Sequence, residues 1–370
     1  MLEFVIPCLL GLESLVGDEI RKLGLSDVRV ENGRVLCHGE ARDIARLNIN
    51  LRCGARVILV LHKFRATDFE SLFQGVRAVH WEDWIPREGE FPVVGYSINS
   101  TLQSIVKKAV VDRLSAAYGI AQFPETGRRY QVRFSIMKDE VTVGLDTSGE
   151  GLYKRGYRAH GVAAPLKETL AAAMVKLSHY NGRDPFCDPF CGSGTLLIEA
   201  AQKAMNIAPG LKRRFAAERY SFVPAAVWAE QRQKALAEVR KDAAFEGIGY
   251  DIDPAAVALA NANAKLAGVG DRCRFEVADV REFRALDNAT VLTNPPYGER
   301  LGDASEAASL ARTLGQVWQA HPAQGLYAIT ADAEFEQHFG KKAARRRKIY
   351  NGMIPCQLYM YFEQPKRERK

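Results

Sequence analysis

The amino-acid sequence predicts an α/β protein, with a doubly wound parallel sheet in its C-terminal part and smaller α+β modules before it. Two observations support this prediction. After residue 150, strand-like and helix-like segments alternate regularly, which is typical of a parallel sheet with helices on both faces. Before residue 150, helices alternate with strands that pair through tight turns, as in antiparallel sheets that carry helices on one face.

Composition and charge limit the class of protein. The chain has 370 residues, 47% of them hydrophobic and 26% charged, as in ordinary globular proteins with two or three domains. The apolar segment 4–20 is interrupted by Pro7, Glu13 and Asp18 and follows no basic region. We therefore expect no signal peptide and no membrane association, and a cytoplasmic location. Seven scattered cysteines without CxxC pairs favour reduced thiols and no metal site, and the net charge of +7 favours an anionic partner.

Residues 1–60 are predicted to form the first α+β module. Its segments are a strand at "EFVIPC", a helix at "GLESLVGDEIRKLG", a hairpin at "VRVENGRVLCHG" that turns at Asn32-Gly33, a helix at "EARDIARLNINLR" and a strand at "ARVILVLHKFRA". This order suits an antiparallel sheet covered by helices on one face.

Residues 61–150 are predicted to form a second module of the same kind. Its segments are a strand at "FPVVGYSIN", a helix at "TLQSIVKKAVVDRLSAAYG" and a hairpin at "YQVRFSIMKDEVTVGLDTS" that turns at Lys138-Asp139. Neither module contains an acid–base pair, a metal cluster or a phosphate loop in its sequence. They are interpreted either as structural modules or as a substrate-binding appendage.

Residues 151–370 are predicted to form one larger domain. Its strands are "DPFCDPF", "IGYDI", "CRFEVAD" and "ATVLTN", and its helices are "TLLIEAAQKAMN", "PAAVALANANAKLAG" and "SLARTLGQVWQAH". "GLYAIT" and "CQLYMYFEQ" add further strands, one arrangement being an antiparallel edge. Residues 206–240 are interpreted as an insertion with helical character. Ligands of such sheets bind beyond the carboxyl ends of the strands, so polar residues at those ends are candidate site residues.

The first candidate site lies in "DPFCGSGTLLIEAA", residues 188–201, where a strand runs through a glycine-rich turn into a helix. Gly192 and Gly194 allow the backbone to approach a ligand closely. Free amides at the start of the helix, near Thr195, favour a carboxylate or phosphate. The loop is not a P-loop, because no Gly-Lys-Ser/Thr follows.

Two acidic residues follow at the ends of the next strands. Asp251 in "GYDIDP" can accept hydrogen bonds from both hydroxyls of a ribose, although it lies 57 residues after Gly194 and not about 20. Asp253 precedes a proline and is predicted to cap the following helix. Asp279 in "VADVREF" can either bind the exocyclic amine of an adenine or cap a turn, and both interpretations stay open.

The fourth candidate site is "TNPPYGERLG", residues 293–302, a rigid loop at the end of a short buried strand. The two prolines can continue neither a strand ladder nor a helix. Asn294 offers a side-chain carbonyl oxygen, Pro295 a backbone carbonyl oxygen and Tyr297 a flat face. Two acceptors beside an aromatic ring suit a planar base that carries an –NH2 group.

Together these motifs resemble S-adenosylmethionine-dependent methyltransferases that modify exocyclic amino groups of bases, on the evidence of NPPY and DPFCGSGT. "LYKRGYRAHGVAAPLKETLAAAM" and "RRKIYNGMIPCQLYMY" extend the resemblance to the large-subunit (23S) ribosomal RNA guanine-N2 methyltransferase family. In that family a ferredoxin-like segment and a THUMP RNA-binding domain precede a Rossmann-like catalytic domain, an order that segments 1–60, 61–150 and 151–370 match. Some members carry a second methyltransferase domain. This chain ends at Lys370 without one, so we expect no second methylation activity.

The resemblance also assigns roles to residues. It implies that S-adenosylmethionine is the cofactor, with the glycines facing its methionine part, Asp251 its ribose and Asp279 its adenine. The implied cofactor-binding residues are Asp188, Phe190, Gly192, Gly194, Thr195, Asp251, Asp279 and Asn294. The implied catalytic residues are Asn294, Pro295, Pro296 and Tyr297, with the base stacked on Tyr297. No strong general base is needed, and His160 and His179 are given core or surface roles.

RNA contacts are predicted at two groups of cations. "KKAARRRK" places six cations within eight residues, and phosphate contact is favoured there over a solvated face. The predicted RNA-binding residues are Lys107, Lys108, Arg345, Arg346, Arg347 and Lys348, the first two having a solvated helix face as the alternative.

The predicted function is therefore transfer of a methyl group to N2 of a guanine in RNA, most directly in large-subunit ribosomal RNA. Three alternatives remain open. A transfer-RNA guanine-N2 methyltransferase has the same domain order, and a DNA adenine-N6 methyltransferase shares the NPPY motif. A non-catalytic RNA-binding assembly factor could retain the same fold.

Overall fold

A computed structural model of the protein describes residues 1–95, 100–158, 166–297 and 304–362. The chain forms two compact units. The first contains Met1–Cys8, Val16–Leu152 and Arg213–Lys234, and the second contains Leu9–Leu15, Tyr153–Lys212 and the chain from Ala235 on. Within the described ranges, no helix has the length and apolar character needed to cross a bilayer.

The secondary structure follows the predicted alternation. The strands are β1 (Leu2–Pro7), β2 (Ser26–Glu31), β3 (Arg34–Gly39), β4 (Ile58–Arg65), β5 (Val93–Gly95), β6 (Val132–Met137), β7 (Glu140–Asp146), β8 (Phe186–Asp188), β9 (Gly247–Asp251), β10 (Cys273–Val277), β11 (Thr290–Thr293), β12 (Gly325–Thr330), β13 (Arg345–Asn351) and β14 (Ile354–Phe362). The α-helices are α1 (Glu13–Lys22), α2 (Ala41–Asn50), α3 (Phe69–Arg77), α4 (Ser100–Tyr118), α5 (Glu168–Leu177), α6 (Thr195–Ala204), α7 (Ala225–Ala237), α8 (Pro254–Ala267), α9 (Ala304–Ala320) and α10 (Phe335–Phe339).

The first unit is built on one seven-stranded sheet with the order β2-β3-β1-β4-β7-β6-β5. Both predicted hairpins are present, and Gly33, Lys138 and Asp139 have the positive φ angles that tight turns require. The two predicted modules share this sheet, because β4 pairs with β1 on one side and with β7 on the other. The predicted boundary after residue 60 therefore falls inside β4.

The second unit is built on a seven-stranded sheet with the order β10-β9-β8-β11-β12-β14-β13. The five strands from β10 to β12 are parallel, and β14 and β13 complete the sheet as an antiparallel edge. The predicted doubly wound sheet is confirmed. The chain order runs outward in both directions from the β8–β11 pair, so this pair is the topological switch point at which such sheets bind ligands.

Helix α8 begins and ends where the sequence predicts. The Asp253 carboxylate accepts a hydrogen bond from the Ala255 amide at 2.8 Å, and Pro254 occupies the first turn. Gly268, with φ of 80°, ends the helix. Such an N-cap stabilises a helix by about 1 kcal/mol relative to alanine. These caps fix the start of α8 directly after Asp251.

Several features differ from the sequence-based expectations. The basic run 345–348 lies in β13, an edge strand that the pattern does not predict, because its charged side chains hide the strand periodicity. Helices α3 and α10 were not predicted either. Segment 213–234, which lies within the predicted helical insertion 206–240, belongs to the first unit. Only the start of "FPVVGYSIN" is seen, as β5. The rest of that segment, like His160, lies outside the described residues.

Candidate active site

A cavity of about 620 Å³ lies at the carboxyl ends of β8, β9, β10 and β11. It is lined by Leu166, Asp188, Pro189, Phe190, Cys191, Gly192, Ser193, Thr195, Leu196, Asp251, Ile252, Ala278, Asp279, Val280, Asn294, Pro296, Glu306 and Leu310. All of the residues predicted to bind a cofactor, except Gly194, are among them. Its position at the β8–β11 switch point is the one expected for a nucleotide-like ligand.

The two glycines of the loop after β8 have different surroundings. Gly192 has φ of +48°, and no atom lies within 4 Å of the position that a β-carbon would occupy. Gly194 has φ of +78°, but a β-carbon there would lie 2.8 Å from the ring of Phe275. Gly192 thus leaves room for a ligand, whereas Gly194 allows the loop to pack on β10 at the start of α6.

Asp251 links the glycine loop to β9. Its Oδ2 accepts a hydrogen bond from the Gly192 amide at 2.9 Å, and its Oδ1 accepts one from the Asp253 amide at 3.0 Å. A carboxylate has about four lone-pair sites, so these bonds leave acceptor capacity for ligand hydroxyls. The predicted ribose contact of Asp251 is compatible with this geometry and stays a prediction.

Asp188 joins the two strands of the switch point. Its Oδ1 accepts hydrogen bonds from the Thr293 hydroxyl at 2.7 Å and from the Phe190 amide at 3.1 Å. The carboxyl is only 1% exposed, and burial raises its pKa to about 7, against the opposing effect of these hydrogen bonds. Asp188 therefore changes its charge near neutral pH, at the wall of the cavity.

Asp279 has one of the two roles that its sequence position suggested, that of a turn cap, and it also lies at the cavity. It caps the 3-10 turn Val280–Glu282 by accepting a hydrogen bond from the Arg281 amide at 2.8 Å, and it lines the cavity. The Arg281 guanidinium also donates to Oδ2 at 2.6 Å. These bonds from Arg281 lower the pKa of Asp279 to about 2, so the carboxylate is ionised and can accept further hydrogen bonds. Adenine recognition by Asp279 stays a prediction.

The NPPY loop follows β11. Asn294 Oδ1 is buried and accepts no hydrogen bond from any part of the chain that the structure describes. Pro296 lines the cavity, whereas Pro295 is buried. Tyr297 is 7% exposed. Its hydroxyl accepts hydrogen bonds from Asn351 Nδ2 at 2.9 Å and from the Cys356 thiol at 3.6 Å.

Sequence reasoning missed three residues at this site. Asn351 and Cys356 lie in the "KIYNGMIPCQLY" segment, which entered the sequence analysis only as a family resemblance. Arg158 donates to Glu168 Oε1 at 2.6 Å, to the Leu166 carbonyl at 2.7 Å and to the Thr195 hydroxyl at 3.2 Å. It thereby holds together the cavity wall near the start of α6. The hydrophobic periodicity of one strand or helix does not indicate which distant side chains it will contact.

The predicted RNA-binding cations have different environments. Lys107 donates to Glu125 at 2.6 Å and lies 3.7 Å from the Phe91 ring centre, so it already has partners in its own unit. Lys108 lies 5.9 Å from the Phe73 ring centre. RNA contact stays a prediction for both.

On β13 the four predicted cations differ as well. Arg346 pairs with Glu336 at 2.8 Å, and the Arg347 guanidinium donates to the Gly11 carbonyl. Arg345 and Lys348 are exposed. The last two are therefore the better candidates for phosphate contact.

Three family models match the chain in sequence. Residues 3–58 match an RlmL ferredoxin-like domain, residues 66–146 a THUMP domain and residues 155–360 an RMKL-like methyltransferase domain. The last match covers more than half of the chain.

Two curated relatives match nearly the whole chain. The "Putative RNA methyltransferase YpsC" of Bacillus subtilis is 39% identical over 98% of this chain and 96% of its own length. The "Ribosomal RNA large subunit methyltransferase K/L" of Syntrophotalea carbinolica is 35% identical over 94% of this chain and 52% of its own length. The chain thus spans about half the length of the K/L relatives that it matches.

Two solved structures share the fold over almost the whole chain. One, described as a "predicted N6-adenine-specific DNA methylase" from Listeria monocytogenes, is 42% identical with a TM-score of 0.91, and the match covers 98% of this chain and 96% of that one. The other, "SMU.472, a putative methyltransferase complexed with SAH", is 38% identical with a TM-score of 0.90 and covers 98% of each chain. SAH is S-adenosylhomocysteine, the product of methyl transfer from S-adenosylmethionine.

Proposed function

This chain belongs to the RMKL-like methyltransferase family, and we propose that it methylates the exocyclic N2 amine of a guanine in RNA. S-adenosylmethionine is the methyl donor in this proposal, and large-subunit ribosomal RNA is the substrate. The K/L relatives, the THUMP match at residues 66–146 and the bound product in a structure 38% identical to this chain support it.

The observation that carries the proposal is the environment of Asn294 Oδ1. This atom is buried beside the cavity and receives no hydrogen bond within the described ranges. Leaving a buried acceptor unsatisfied costs about 1–3 kcal/mol. A ligand with an N–H group removes this cost. An exocyclic amine has such a group, whereas a ring carbon or an unprotonated ring nitrogen does not.

The residues around the cavity suit S-adenosylmethionine. The open space at Gly192 admits the ligand backbone, the Asp251 carboxylate has free acceptor capacity, and Asp188 offers a negative charge to an ammonium group. When bound, the cofactor supplies an electrophilic methyl group on a sulfonium.

The NPPY loop then prepares the amine. Asn294 Oδ1, with the Pro295 carbonyl as the proposed second acceptor, holds the two N–H bonds and turns the nitrogen lone pair out of conjugation with the ring. The same acceptors stabilise the positive charge that develops on nitrogen, which is preorganised electrostatic catalysis. The proton becomes acidic once the methyl group has been transferred, so this mechanism needs no strong base.

A second candidate is methylation of adenine N6 in DNA. The description of the Listeria structure favours it, and the NPPY geometry would serve an adenine amine as well. The THUMP match favours RNA, whereas the exposed cations of β13 would suit the phosphates of either nucleic acid. The choice of guanine rests on the family resemblance.

Nucleoside mass spectrometry on cells that lack the protein tests this proposal. We expect loss of N2-methylguanosine from the large-subunit ribosomal RNA fraction, restored by the wild-type gene and not by one encoding Asn294→Ala. Loss of N2-methylguanosine from transfer RNA alone would show that the protein is a guanine-N2 methyltransferase whose substrate is transfer RNA and not ribosomal RNA. Loss of N6-methyladenine from DNA, with RNA unchanged, would overturn the proposal.

A further inference from the structure

The hairpin formed by β13 and β14 ends in an apolar tip. Asn351 pairs with Ile354, so the turn consists of Gly352 and Met353 alone. Gly352 has φ of +65° and Met353 has a negative φ, the pattern of a type II′ turn. This turn projects Met353, which is 93% exposed, and Ile354 is 49% exposed.

The tip is tied to the NPPY loop. Asn351, the last residue of β13, donates its side-chain amide to the Tyr297 hydroxyl at 2.9 Å. Cys356, at the start of β14 and 2% exposed, donates its thiol to the same oxygen. These contacts lie on both sides of the turn. Met353 therefore stands in a fixed position, two residues from a direct contact with the loop that contains Asn294.

The charge around the tip favours a nucleic acid. No Asp or Glu occurs between Arg345 and Phe362, and Lys348 is exposed on the strand that leads to the tip. A single exposed apolar side chain is common on protein surfaces and indicates nothing by itself. On a hairpin that carries an exposed cation and is tied to the NPPY loop, the same side chain matches the apolar wedges that proteins insert between bases.

We propose that Met353 is a wedge that enters the RNA base stack beside the target nucleotide. An enzyme that acts on a stacked base must first extrude it, and unstacking has a free-energy cost. In this proposal the Met353 side chain fills the vacated space and keeps the target base extruded, in the cavity next to Asn294. Lys348, on the strand that leads to the tip, contacts a phosphate of the same RNA. The inference rests on the proposed RNA methyltransferase function.

The test uses the full-length protein and RNA isolated from cells that lack it. Turnover is followed as transfer of labelled methyl groups, and the variants are Met353→Ala, Met353→Leu and, as a matched control, Leu266→Ala. Leu266 is also an exposed apolar residue of the second unit, at 48% exposure, but it does not line the cavity. Calorimetric titration with S-adenosylhomocysteine checks that each variant keeps its cofactor site.

We expect Met353→Ala to lower turnover on folded RNA about 10-fold, because the unstacked state loses its wedge, with S-adenosylhomocysteine affinity unchanged. Met353→Leu should stay close to wild type. Withdrawing Mg²⁺, which loosens RNA structure, should reduce the deficit of Met353→Ala, since unstacking then requires less free energy.

Two results would overturn the wedge alone. One is a Met353→Ala variant that is as active as Leu266→Ala. The same result is expected if the tip binds a protein partner, because the RNA in this assay is free of protein. The other is a deficit that stays constant when Mg²⁺ is withdrawn, which would indicate damage to the loop and not loss of a wedge. A wild-type protein that transfers no methyl group to this RNA would instead overturn the proposed function.

Discussion

Asn294 is the residue whose replacement best separates cofactor binding from catalysis. Its Oδ1 is a buried acceptor that receives no hydrogen bond in the described structure, so its removal should leave the free protein undamaged. We predict that Asn294→Ala lowers turnover about 100-fold, the usual effect of deleting one preorganised polar group. The affinity for S-adenosylhomocysteine should change less than about 2-fold, within the effect of an ordinary surface substitution.

Asn261→Ala, on the exposed face of α8, is the control. Calorimetry measures the cofactor affinity, and steady-state kinetics measures turnover. An equal loss of both quantities would show that Asn294 supports the fold of the loop.

Asp188 makes cofactor binding depend on pH. Burial raises its pKa to about 7, so the carboxyl is mostly protonated at pH 6 and mostly ionised at pH 8. An ammonium group of the ligand favours the ionised form, so affinity should increase as the pH rises through 7. Because the pKa of about 7 lies midway between these two pH values, the ionised fraction, and with it the affinity, increases at most about 10-fold. We predict this increase for S-adenosylhomocysteine by calorimetry, and a flat profile for Asp188→Asn. A wild-type profile that is flat, or that falls with pH, would contradict the assignment.

Residues that sit at strand ends could be predicted from the sequence, and residues that reach them from elsewhere could not. Asp188, Asp251 and Asn294 follow short apolar segments, and parallel strands bring their ends to one edge. Asn351 contacts Tyr297 across 54 residues of sequence, a pairing that depends on how β13 and β14 add to the sheet. Local patterns contain no information on that addition.

At the level of elements, periodicity found the buried helices and strands and failed at the charged edge. β11 and β12 are buried along their whole length and read as apolar segments. β13 exposes most of its cations, so its sequence resembles a charged surface run. Charged residues on an edge strand also prevent pairing with another chain, which is a structural reason for them independent of RNA.

The exposed cations of β13 can be tested to distinguish RNA binding from protection of the sheet edge. Arg346 and Arg347 have partners within the second unit, so their replacement would also remove contacts within the protein. We predict that the double variant Arg345→Gln/Lys348→Gln binds RNA more weakly. The slope of log affinity against log salt concentration should fall by up to about 1.5, the value for two contacts to single-stranded phosphates. Lys241→Gln/Lys265→Gln removes the same charge from other exposed positions and is the control. Filter binding over a salt series measures the RNA affinity and its salt dependence. Identical slopes for the two double variants would show that the cations of β13 protect the sheet edge and do not contact RNA.

At the level of the whole molecule, the two units are not consecutive in sequence. Arg213–Lys234 belongs to the first unit. There Tyr220, which is 2% exposed, donates its hydroxyl to the Asp146 carbonyl at 2.7 Å and stacks on Tyr130 at 4.6 Å. Leu9–Leu15 belongs to the second unit, where the Gly11 carbonyl accepts from Arg347. The motifs in the sequence indicate the order of the domains. They do not indicate that short segments such as Leu9–Leu15 and Arg213–Lys234 belong to the other unit.

A fragment that starts at residue 151 should therefore be less stable than the intact chain. It keeps Tyr220 without Tyr130 and Asp146, and it keeps Arg347 without Gly11. Exposing several large side chains costs about 1.5–3 kcal/mol each, which corresponds to a fall of about 10 °C or more in the unfolding midpoint. Scanning calorimetry with bound S-adenosylhomocysteine measures this fall. Tyr220→Ser gives a matched comparison. It should lower the unfolding midpoint of the intact chain, where the ring is buried. In the fragment it should leave the unfolding midpoint unchanged or make the fragment more soluble. A fragment that unfolds at the midpoint of the intact chain would show that residues 151–370 fold independently of the exchanged segments.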